Sequence, residues 1–321
     1  MTPLEPIGLE EIRAAARRIR GSAVRTPTLR LNVDGDTRVE IHAKLENLQP
    51  IGSFKIRGAA NAMLLAPKTS LARGVYTASA GNMAQGVAWM ARKLGVPCTV
   101  IVPDHAPQAK LSAISRLGGR IEKLPFDEWW QVLVDHGAPG HDGVFVHPVS
   151  DPAVIAGNAT IGLEILEDVP GADTILVPYG GGGLSCGIAS AVRALEPNTR
   201  VFGCEVETAA PLSASLAAGS PRDIAYTASF VDGIGARGVL SEMWPLVRSL
   251  LAGSFVSSVA EIAAAVRLLV ERNRVVAEGA AGAAVAAALS GKAPGTRIVC
   301  VVSGGNIDAS NLVKILNGEV P

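Results

Sequence analysis

Short runs of apolar, often β-branched residues alternate along this chain with longer segments rich in alanine and leucine. The short runs predict strands at residues 39–45, 74–78, 99–102, 120–124, 143–146, 174–177, 201–204 and 297–302. The longer segments predict helices at residues 82–94, 108–117, 153–166, 184–195 and 259–272. Several strands are apolar throughout, which is typical of a sheet covered by helices on both faces. The pattern therefore predicts an α/β fold with parallel sheets.

The amino-acid composition argues against nucleic acid and membrane as binding partners. Lysine plus arginine and aspartate plus glutamate number 29 each among 321 residues, so the formal net charge is zero. Nucleic-acid-binding proteins usually carry a basic stripe, which this sequence lacks, so we expect no nucleic-acid partner. The longest apolar run, residues 279–289, is shorter than the roughly 20 residues that cross a bilayer. The first residues, MTPLEPIGLEEIR, do not resemble a signal peptide, and we expect a cytosolic protein with no membrane partner.

The four cysteines indicate buried thiols rather than a metal site. Cys98, Cys186, Cys204 and Cys300 are widely spaced, and each lies in an apolar stretch. The sequence contains no CxxC motif and no cysteine–histidine pairing of the kind that a zinc cage requires. We therefore expect four reduced, buried cysteines and no metal.

A run of four glycines follows one predicted strand and precedes a predicted helix. Its members are Gly180, Gly181, Gly182 and Gly183, with Tyr179 before them and Leu184 after them. Because glycine has no Cβ, a ligand can approach the backbone N–H groups, and the positive end of the next helix also attracts an anion. The loop matches neither GxGxxG nor the P-loop, which counts against a dinucleotide and against ATP. It indicates a phosphate site, with a flexible turn as the alternative.

Lys55 lies between an apolar stretch, LQPIGSF, and a segment typical of a helix, IRGAANAMLL. A lysine is usually a solvated surface charge, and that interpretation stays open here. At a buried helix N-terminus, however, the helix dipole and burial both lower the pKa of an amine. A lowered pKa supplies the neutral amine that Schiff-base chemistry requires, so Lys55 is a candidate nucleophile.

Two further turns carry polar groups at predicted strand ends. The segment SAGNMAQG, which starts at Ser79, joins a strand to a helix and offers hydroxyl, amide and N–H donors for a carboxylate or phenolate oxygen. The segment SGGN places Ser303 at the end of the last predicted strand. Ligands of open α/β sheets collect at the carboxyl ends of strands. Each turn taken alone has an equally good structural interpretation.

The segments SFKIRGA, SAGNMAQG, GGGG and SGGN, in this order, resemble those of the fold-type II pyridoxal-phosphate enzymes, and most closely the serine/threonine dehydratase and serine racemase group. The resemblance extends from about Arg25 to Ser310, nearly the whole chain. It implies a two-lobed α/β fold with open parallel sheets, like that of tryptophan synthase β. It also implies a large cofactor-binding domain of residues 1–72 and 151–321 and a small substrate-side domain of residues 73–150. The sequence ends at Pro321, so we expect no regulatory domain and a resemblance to the short, catabolic form.

The resemblance implies pyridoxal 5′-phosphate as the cofactor and assigns roles to the residues around it. Lys55 would form the internal aldimine and, once freed, act as the base at the substrate Cα. The other cofactor contacts would be Phe54 beside the ring, Asn82 at the 3′ oxygen, Gly180, Gly181, Gly182, Gly183 and Leu184 at the phosphate, and Ser303 at the pyridine nitrogen. The substrate would be contacted by Ser79, Ala80, Asn82 and Met83.

A dehydratase activity is what the resemblance implies first. A neutral hydroxyl such as Ser303 keeps the pyridine nitrogen protonated less strongly than a carboxylate would, so a carbanion is best consumed quickly by expelling a β-substituent. We expect a small β-hydroxy-α-amino acid, either threonine, serine or a bulkier one such as 3-phenylserine, to yield a 2-keto acid and ammonia. The alternatives are an amino-acid racemase, a β-replacement synthase and a non-catalytic phosphate-binding relative. We expect a homodimer, the commonest assembly.

Several departures from the family pattern refine this expectation. Ala80 stands where the racemase places a proton-donating serine, which counts against racemisation. Met83 replaces the usual histidine, and its thioether favours an apolar or aromatic substrate group, with neutral drift as the alternative. Glu205 matches the first cation ligand of many relatives, but Pro211 stands where a second carboxylate is usual, so we expect no metal. Residues 157–160, Gly-Asn-Ala-Thr, differ from the usual Gly-Gln-Gly-Thr and are expected to alter the substrate side of the cleft.

Overall fold

The computed structural model describes residues 4–35 and 38–321 of the chain. Its helices, α1 to α13 in chain order, are Leu9–Arg18, Lys55–Leu65, Lys68–Leu71, Asn82–Leu94, Gln108–Arg116, Phe126–Val134, Pro152–Asp168, Gly183–Leu195, Pro211–Ala218, Trp244–Leu250, Val259–Asn273, Gly279–Leu289 and Ala309–Leu316. Its strands, β1 to β10, are Thr28–Arg30, Glu40–Leu45, Val75–Ala78, Cys98–Pro103, Arg120–Leu124, Val144–Phe145, Thr174–Pro178, Arg200–Val206, Gly253–Ser257 and Arg297–Val302. Short 3₁₀ turns lie at Glu46–Leu48 and Asp232–Ile234.

The strands form two separate sheets. The larger sheet has six strands in the order β1-β2-β10-β7-β8-β9, and the smaller has four in the order β5-β4-β3-β6. Within the described residues every strand pair is parallel except β1 with β2, which is antiparallel. The predicted parallel α/β architecture is therefore confirmed. β1 is the exception because a short connection joins it to β2, and strands joined in this way pair antiparallel.

The central strand β10 explains why the large sheet is apolar on both faces. Ile298, Cys300 and Val302 point to one core, which they share with the alanines of α12. Val299 and Val301 point to the opposite core, which is formed with residues of α8. Because side chains alternate along a strand, a continuously apolar strand such as this one is buried on both faces.

Two strands and several helices were not predicted. β9, with the sequence GSFVS, is an edge strand of polar and half-buried residues, so no apolar run marks it. β1 is only three residues long. α12, with the sequence GAAGAAVAAAL, is a buried helix that is apolar on every side and therefore has no helical period. The other missed helices, α1, α3, α6, α9, α10 and α13, are ten residues long or shorter.

Three further expectations can be compared with the fold. All four cysteines are free and buried, which confirms the prediction of buried thiols. Over the described ranges, 4–35 and 38–321, no helix is both long and apolar enough to cross a membrane. The strands of the small sheet all lie between residues 75 and 145, and the predicted domain boundaries at 72/73 and 150/151 stay a prediction.

Both sheets direct their strand ends toward one region. β3, β7 and β10 lead into the segments that begin at Ser79, Tyr179 and Ser303. Because ligands collect at the carboxyl ends of parallel strands, these three segments are placed to form a site. α2 packs against both α4 and α7 and so connects the two halves of the molecule at this point.

Candidate active site

A cleft bordered by elements of both sheets brings the predicted site residues together. The cavity has a volume of about 490 Å³. Its lining includes every residue to which the sequence assigned a cofactor or substrate contact: Phe54, Lys55, Ser79, Ala80, Asn82, Met83, Gly180, Gly181, Gly182, Gly183, Leu184 and Ser303. The shared position agrees with a single site, while the individual roles stay predictions.

Lys55 is the first residue of α2 and is only partly exposed. Its Nζ donates a hydrogen bond of 2.7 Å to the carbonyl oxygen of Pro148 and lies 5.2 Å from the centre of the Phe54 ring. Burial lowers the pKa of Lys55 from 10.5 to about 8, and the nearby Glu278 carboxylate opposes that shift. At neutral pH roughly a tenth of the amine is therefore uncharged and able to act as a nucleophile.

Backbone hydrogen bonds fix Lys55 beside the segment that follows β10. The N–H of Phe54 donates to the carbonyl oxygen of Ser303 at 3.0 Å. The N–H of Gly305 donates to the carbonyl oxygen of Gly52 at 2.9 Å. Ser303 is 2% exposed and lines the same cleft. Lys55 and Ser303 are therefore held together on one backbone frame.

The tetraglycine loop, residues 180–183, has the features of a phosphate site. Gly182 precedes α8 in a left-handed conformation with φ +94°, which favours glycine. No side chain of the described residues caps α8, so its first N–H groups can bind an anion. The loop is closely covered, because a Cβ at Gly181 would lie 2.6 Å from the Val149 side chain and one at Gly183 would lie 2.5 Å from the Val149 carbonyl oxygen. Larger residues are therefore excluded from these two positions.

A second helix N-terminus faces the same cleft. α4 begins at Asn82 after Gly81, again without a capping side chain from the part of the chain that the structure describes. The Ser79 hydroxyl accepts a hydrogen bond of 3.2 Å from the N–H of Gly81. The N-termini of α4 and α8 thus border a single cavity, which suits ligands that carry a phosphate and a carboxylate.

Glu278 is a cleft residue that the sequence reasoning missed. It precedes α12, is 8% exposed, and its carboxylate accepts hydrogen bonds of 3.0 and 3.1 Å from the Asn82 Nδ2. The Asn306 Nδ2 donates to the Asn82 Oδ1 at 2.8 Å, so both ends of the Asn82 amide are held. Burial raises the pKa of Glu278 to about 7, and the hydrogen bond from Asn82 opposes that shift. The local signal was a single carboxyl group within the run VVAEGAAGAA.

The outer part of the cleft is lined by residues of α5 and α6 that carried no sequence signal. Trp129 borders the cleft, and its indole Nε1 is buried without a hydrogen-bond partner among the described residues. Lys110 and Arg116 contribute two cations to the lining, and Lys110 forms an ion pair with Asp232. This end of the cleft therefore combines an aromatic wall with charge, unlike the glycine-rich end.

Two expectations concern the substrate side of the cleft. Met83 borders the cleft, but only 1% of it is exposed and it belongs to a core cluster with residues of α2 and α4, so its contact with the substrate stays a prediction. Asn158 lies inside α7, and its Nδ2 donates to the carbonyl oxygen of Gly183 at 3.3 Å. Asn158 therefore contacts the tetraglycine loop, and none of residues 157–160 lines the cleft, so their expected effect on its substrate side stays a prediction.

Glu205 has a structural function in this fold. Its carboxylate accepts hydrogen bonds from the N–H groups of Leu212 and Ser213 at 2.7 and 2.8 Å and from the Ser254 hydroxyl at 2.6 Å. Because α9 begins at Pro211, Glu205 satisfies N–H groups of the first turn of that helix. The described residues contain no group of three or more histidine, cysteine, aspartate or glutamate side chains that could hold a metal ion.

The residues of the cleft fit pyridoxal 5′-phosphate. A partly neutral lysine amine can bond to the cofactor's aldehyde carbon. The tetraglycine loop leaves no room for a Cβ at Gly181 or Gly183 and precedes an uncapped helix N-terminus, as a phosphate requires. Ser303 offers a hydroxyl on the wall that also carries Lys55.

Comparison with known proteins agrees with this fit. The sequence model of the family described as pyridoxal-phosphate dependent enzyme matches residues 19–304. L-threonine ammonia-lyase of Thermotoga maritima is 38% identical over 315 residues, which cover 97% of this chain and 78% of that protein. The catabolic L-threonine dehydratase TdcB of Escherichia coli (strain K12) is 36% identical over 317 residues, which cover 97% of this chain and 96% of that protein. Maize serine racemase has a similar structure, with a TM-score of 0.89, 30% identity and 98% of both chains covered.

The chain belongs to the family of pyridoxal-phosphate dependent enzymes. Its fold is the two-lobed fold-type II architecture that the four motifs implied, and pyridoxal phosphate is its cofactor. Within the family it is a hydroxy-amino-acid dehydratase, a lyase, which confirms the enzyme class predicted from the sequence.

Proposed function

We propose that this enzyme converts a β-hydroxy-α-amino acid, with threonine as the first candidate, to a 2-keto acid and ammonia. The similarity to threonine ammonia-lyases and dehydratases over nearly the whole chain supports threonine. The observation that carries the proposal is the Lys55 amine, whose pKa is lowered to about 8, in one cleft with two uncapped helix N-termini. That arrangement offers a base, a phosphate site and a carboxylate site together.

In the proposed mechanism the bound cofactor supplies an electron sink for the bond that breaks at Cα. The Lys55 amine removes the proton from Cα, a task for which a pKa near neutrality is well suited. The N–H groups of the first turn of α4, with the Ser79 hydroxyl, bind the substrate carboxylate. Glu278 and Asn306 hold the two ends of the Asn82 amide, which would hydrogen-bond the cofactor's 3′ oxygen. The Cα proton and the β-hydroxyl group are lost as one molecule of water. A second water molecule then hydrolyses the dehydrated product to the 2-keto acid and ammonia.

Two residues favour elimination over racemisation. Ser303 supplies a neutral hydroxyl, which stabilises a negatively charged Cα less than a carboxylate partner of the ring nitrogen would, so rapid loss of the β-hydroxyl is favoured. Ala80 borders the cleft with a methyl group where a racemase needs a proton donor for the second face of Cα. The racemase alternative therefore lacks support from the residues of this cleft, despite the similar fold of maize serine racemase.

We further propose that the substrate carries an apolar or aryl group at Cβ. Trp129 gives the outer cleft an aromatic wall, and aromatic rings pack favourably on one another. Met83 borders the same cleft but is only 1% exposed. We expect threonine and 3-phenylserine to be preferred over serine by roughly ten- to two-hundredfold in kcat/KM.

A panel of serine, threonine and 3-phenylserine tests both levels of the proposal. Trp129→Leu should reduce the preference for the larger substrates, whereas Trp130→Leu is a matched control, since Trp130 is 41% exposed and does not line the cleft. The measurement is kcat/KM for 2-keto-acid release. If wild type uses serine best, the apolar subsite is wrong and the dehydratase proposal survives. If no substrate of the panel yields a keto acid, the proposal that the enzyme dehydrates these amino acids is wrong.

We also propose a homodimer located in the cytosol, as the composition and the base rate of assemblies predict. Size-exclusion chromatography with light scattering tests the first statement. Cell fractionation with an antibody against the chain tests the second.

A further inference from the structure

Residues 147–151 (HPVSD, here the 147–151 segment) cross from the small sheet to the large one. The segment follows β6 and leads into α7. Asp151 caps that helix by accepting hydrogen bonds from the N–H groups of Ala153 and Val154. The dehydratase activity and the cofactor contacts described above give this segment no role of its own.

The 147–151 segment contacts both parts of the cofactor site. The Pro148 carbonyl oxygen accepts the 2.7 Å hydrogen bond from the Lys55 Nζ. Val149 covers the tetraglycine loop so closely that a Cβ at Gly181 or Gly183 would lie within 2.6 Å of its atoms. One short turn therefore contacts the reactive amine and the phosphate site at the same time.

His147 holds this turn in shape. Its ring is buried, and its Nδ1 accepts hydrogen bonds from the N–H groups of Val149 at 3.1 Å and Ser150 at 2.8 Å. A ring nitrogen that accepts carries no proton, so the ring is neutral with its proton on Nε2. Burial, together with the neighbouring His136, lowers the pKa of His147 to about 3, which keeps Nδ1 an acceptor at neutral pH.

A second layer of side chains supports the His147 ring. His136 stacks on it with 4.3 Å between ring centroids and 13° between planes. The Glu242 Oε1 lies 3.6 Å from the His136 Nε2, and the Ser150 hydroxyl lies 3.4 Å from the same nitrogen. These side chains border a separate cavity of about 270 Å³ that shares no lining residue with the cofactor cleft. His147 therefore lies outside the cofactor cleft.

We propose that His147 is a positioning residue whose Nδ1 folds the 147–151 segment so that Pro148 meets Lys55 and Val149 closes over the tetraglycine loop. His147 does not line the cofactor cleft, and its effect passes through the backbone that it orders. The inference concerns the retention of the cofactor and the placement of the Lys55 amine. It is therefore independent of which hydroxy amino acid is the substrate.

Variants that keep or remove the acceptor test the proposal. His147→Asn keeps an acceptor for the N–H groups two and three residues ahead, as asparagine does in turns. His147→Phe keeps an aromatic ring beside His136 but has no acceptor. In the loaded full-length enzyme, the rate of cofactor loss on dilution, followed by visible absorbance, should rise roughly tenfold in His147→Phe and stay within about threefold of wild type in His147→Asn. For molecules that retain cofactor, kcat should fall in His147→Phe while KM changes little.

The outcomes separate positioning from packing. The proposal is wrong if both variants only lower Tm, while their folded molecules have the wild-type rate of cofactor loss and the wild-type kcat. Equal cofactor loss in the two variants also overturns it, because the ring and not its acceptor would then matter. If His147→Phe does not fold, His147→Gln replaces it with the same expectation, since its acceptor lies one methylene further out. His105→Asn, at an exposed histidine outside the segment, is the control and should behave as wild type.

Discussion

Lys55 and Arg57 lie two residues apart in α2, yet they belong to opposite kinds of charged cluster. The Arg57 guanidinium donates hydrogen bonds of 2.8 Å to Glu46 and of 2.7 and 2.9 Å to Glu164. Burial opposes its charge, but the two carboxylates outweigh burial and raise the pKa of Arg57. Around Lys55 a backbone carbonyl, that of Pro148, accepts the hydrogen bond instead, and burial lowers the pKa to about 8.

The difference teaches how one helix can carry a structural cation and a reactive one. Lys44 joins Arg57 in a buried network, since its Nζ lies 2.8 Å from Glu164 and 3.1 Å from Asp168. This network, formed by Lys44, Glu46, Arg57 and Glu164, anchors the first turns of α2. Lys55, by contrast, has Glu278 as its nearby carboxyl group, and burial raises the pKa of that group to about 7. Removal of one partner from a buried pair leaves an uncompensated charge and destabilises the fold, whereas a weakly compensated amine of lowered pKa is suited to reaction.

Lys55→Ala should have the largest effect on activity and little effect on the fold. Loss of the amine removes the covalent attachment point and the base at Cα together, so kcat should fall by about 10²–10⁴ or more. The free energy of unfolding should change by less than about 1 kcal/mol, because a partly buried amine of lowered pKa does not stabilise the fold. Keto-acid release and urea unfolding measure the two effects. Retention of more than about a hundredth of wild-type activity would contradict the assignment of Lys55.

Arg57→Met should have the reverse profile. It leaves Glu46 buried without its cation, which typically costs about 3–5 kcal/mol in the free energy of unfolding. Activity per folded molecule should fall much less than in Lys55→Ala. The matched control is Arg267→Met, because Arg267 forms an exposed pair with Glu271 and should cost at most about 1 kcal/mol. Similar losses in the two arginine variants would show that the buried network does not stabilise the fold.

Glu278→Gln should change how stability depends on pH. In the native state burial holds the pKa of Glu278 near 7, whereas in the unfolded chain it is close to 4.5. Between these values the native state binds more protons than the unfolded state, so this group makes the free energy of unfolding fall as pH rises from about 4.5 to about 7. In Glu278→Gln that decline should be smaller by about 1–3 kcal/mol. Urea unfolding at several pH values measures it.

Glu261, a carboxyl group whose pKa is lowered in the native state, serves as control for Glu278. Hydrogen bonds from Ser258 lower the pKa of Glu261 at the start of α11, so its stabilising contribution is present at higher pH and is lost as pH falls through the native pKa. Glu261→Gln should therefore lower stability near neutral pH and have little effect in acid. If Glu278→Gln and Glu261→Gln change the pH profile in the same direction, the raised pKa of Glu278 is wrong.

The sequence revealed the residues that line the cleft better than the residues that hold those side chains in place. Ser303 and the tetraglycine loop lie in glycine- or serine-containing turns at the ends of apolar strands, and Lys55 begins a helix after an apolar stretch. A local pattern can reveal such positions. Glu278 meets Asn82 across 196 positions of the chain, so no local pattern joins them. Arg57 belongs to a segment that indicated a helix, but its burial depends on partners from other elements.

Dependence on local patterns also explains which helices and strands were predicted from the sequence. The helix predicted at residues 82–94 has the bounds of α4, because a glycine precedes it and Gly95, in the left-handed conformation, ends it. β9 was missed because an edge strand needs no apolar run. α12 was missed because a helix buried on all sides has no polar face to mark its period.

The position of β10 has a consequence for how the chain acquires its structure during synthesis. Among the strands of the described residues, β10 comes last in chain order, yet it lies between β2 and β7 in the six-stranded sheet. β2 and β7 therefore lack the strand that lies between them until residues 297–302 have emerged. The backbone hydrogen bonds that hold the segment around Lys55 also require Ser303 and Gly305, which follow β10. The small sheet is contiguous in the chain and needs no such delay, since close contacts in sequence form early. A nascent chain thus gains its reactive lysine site only after residues 297–305 have emerged.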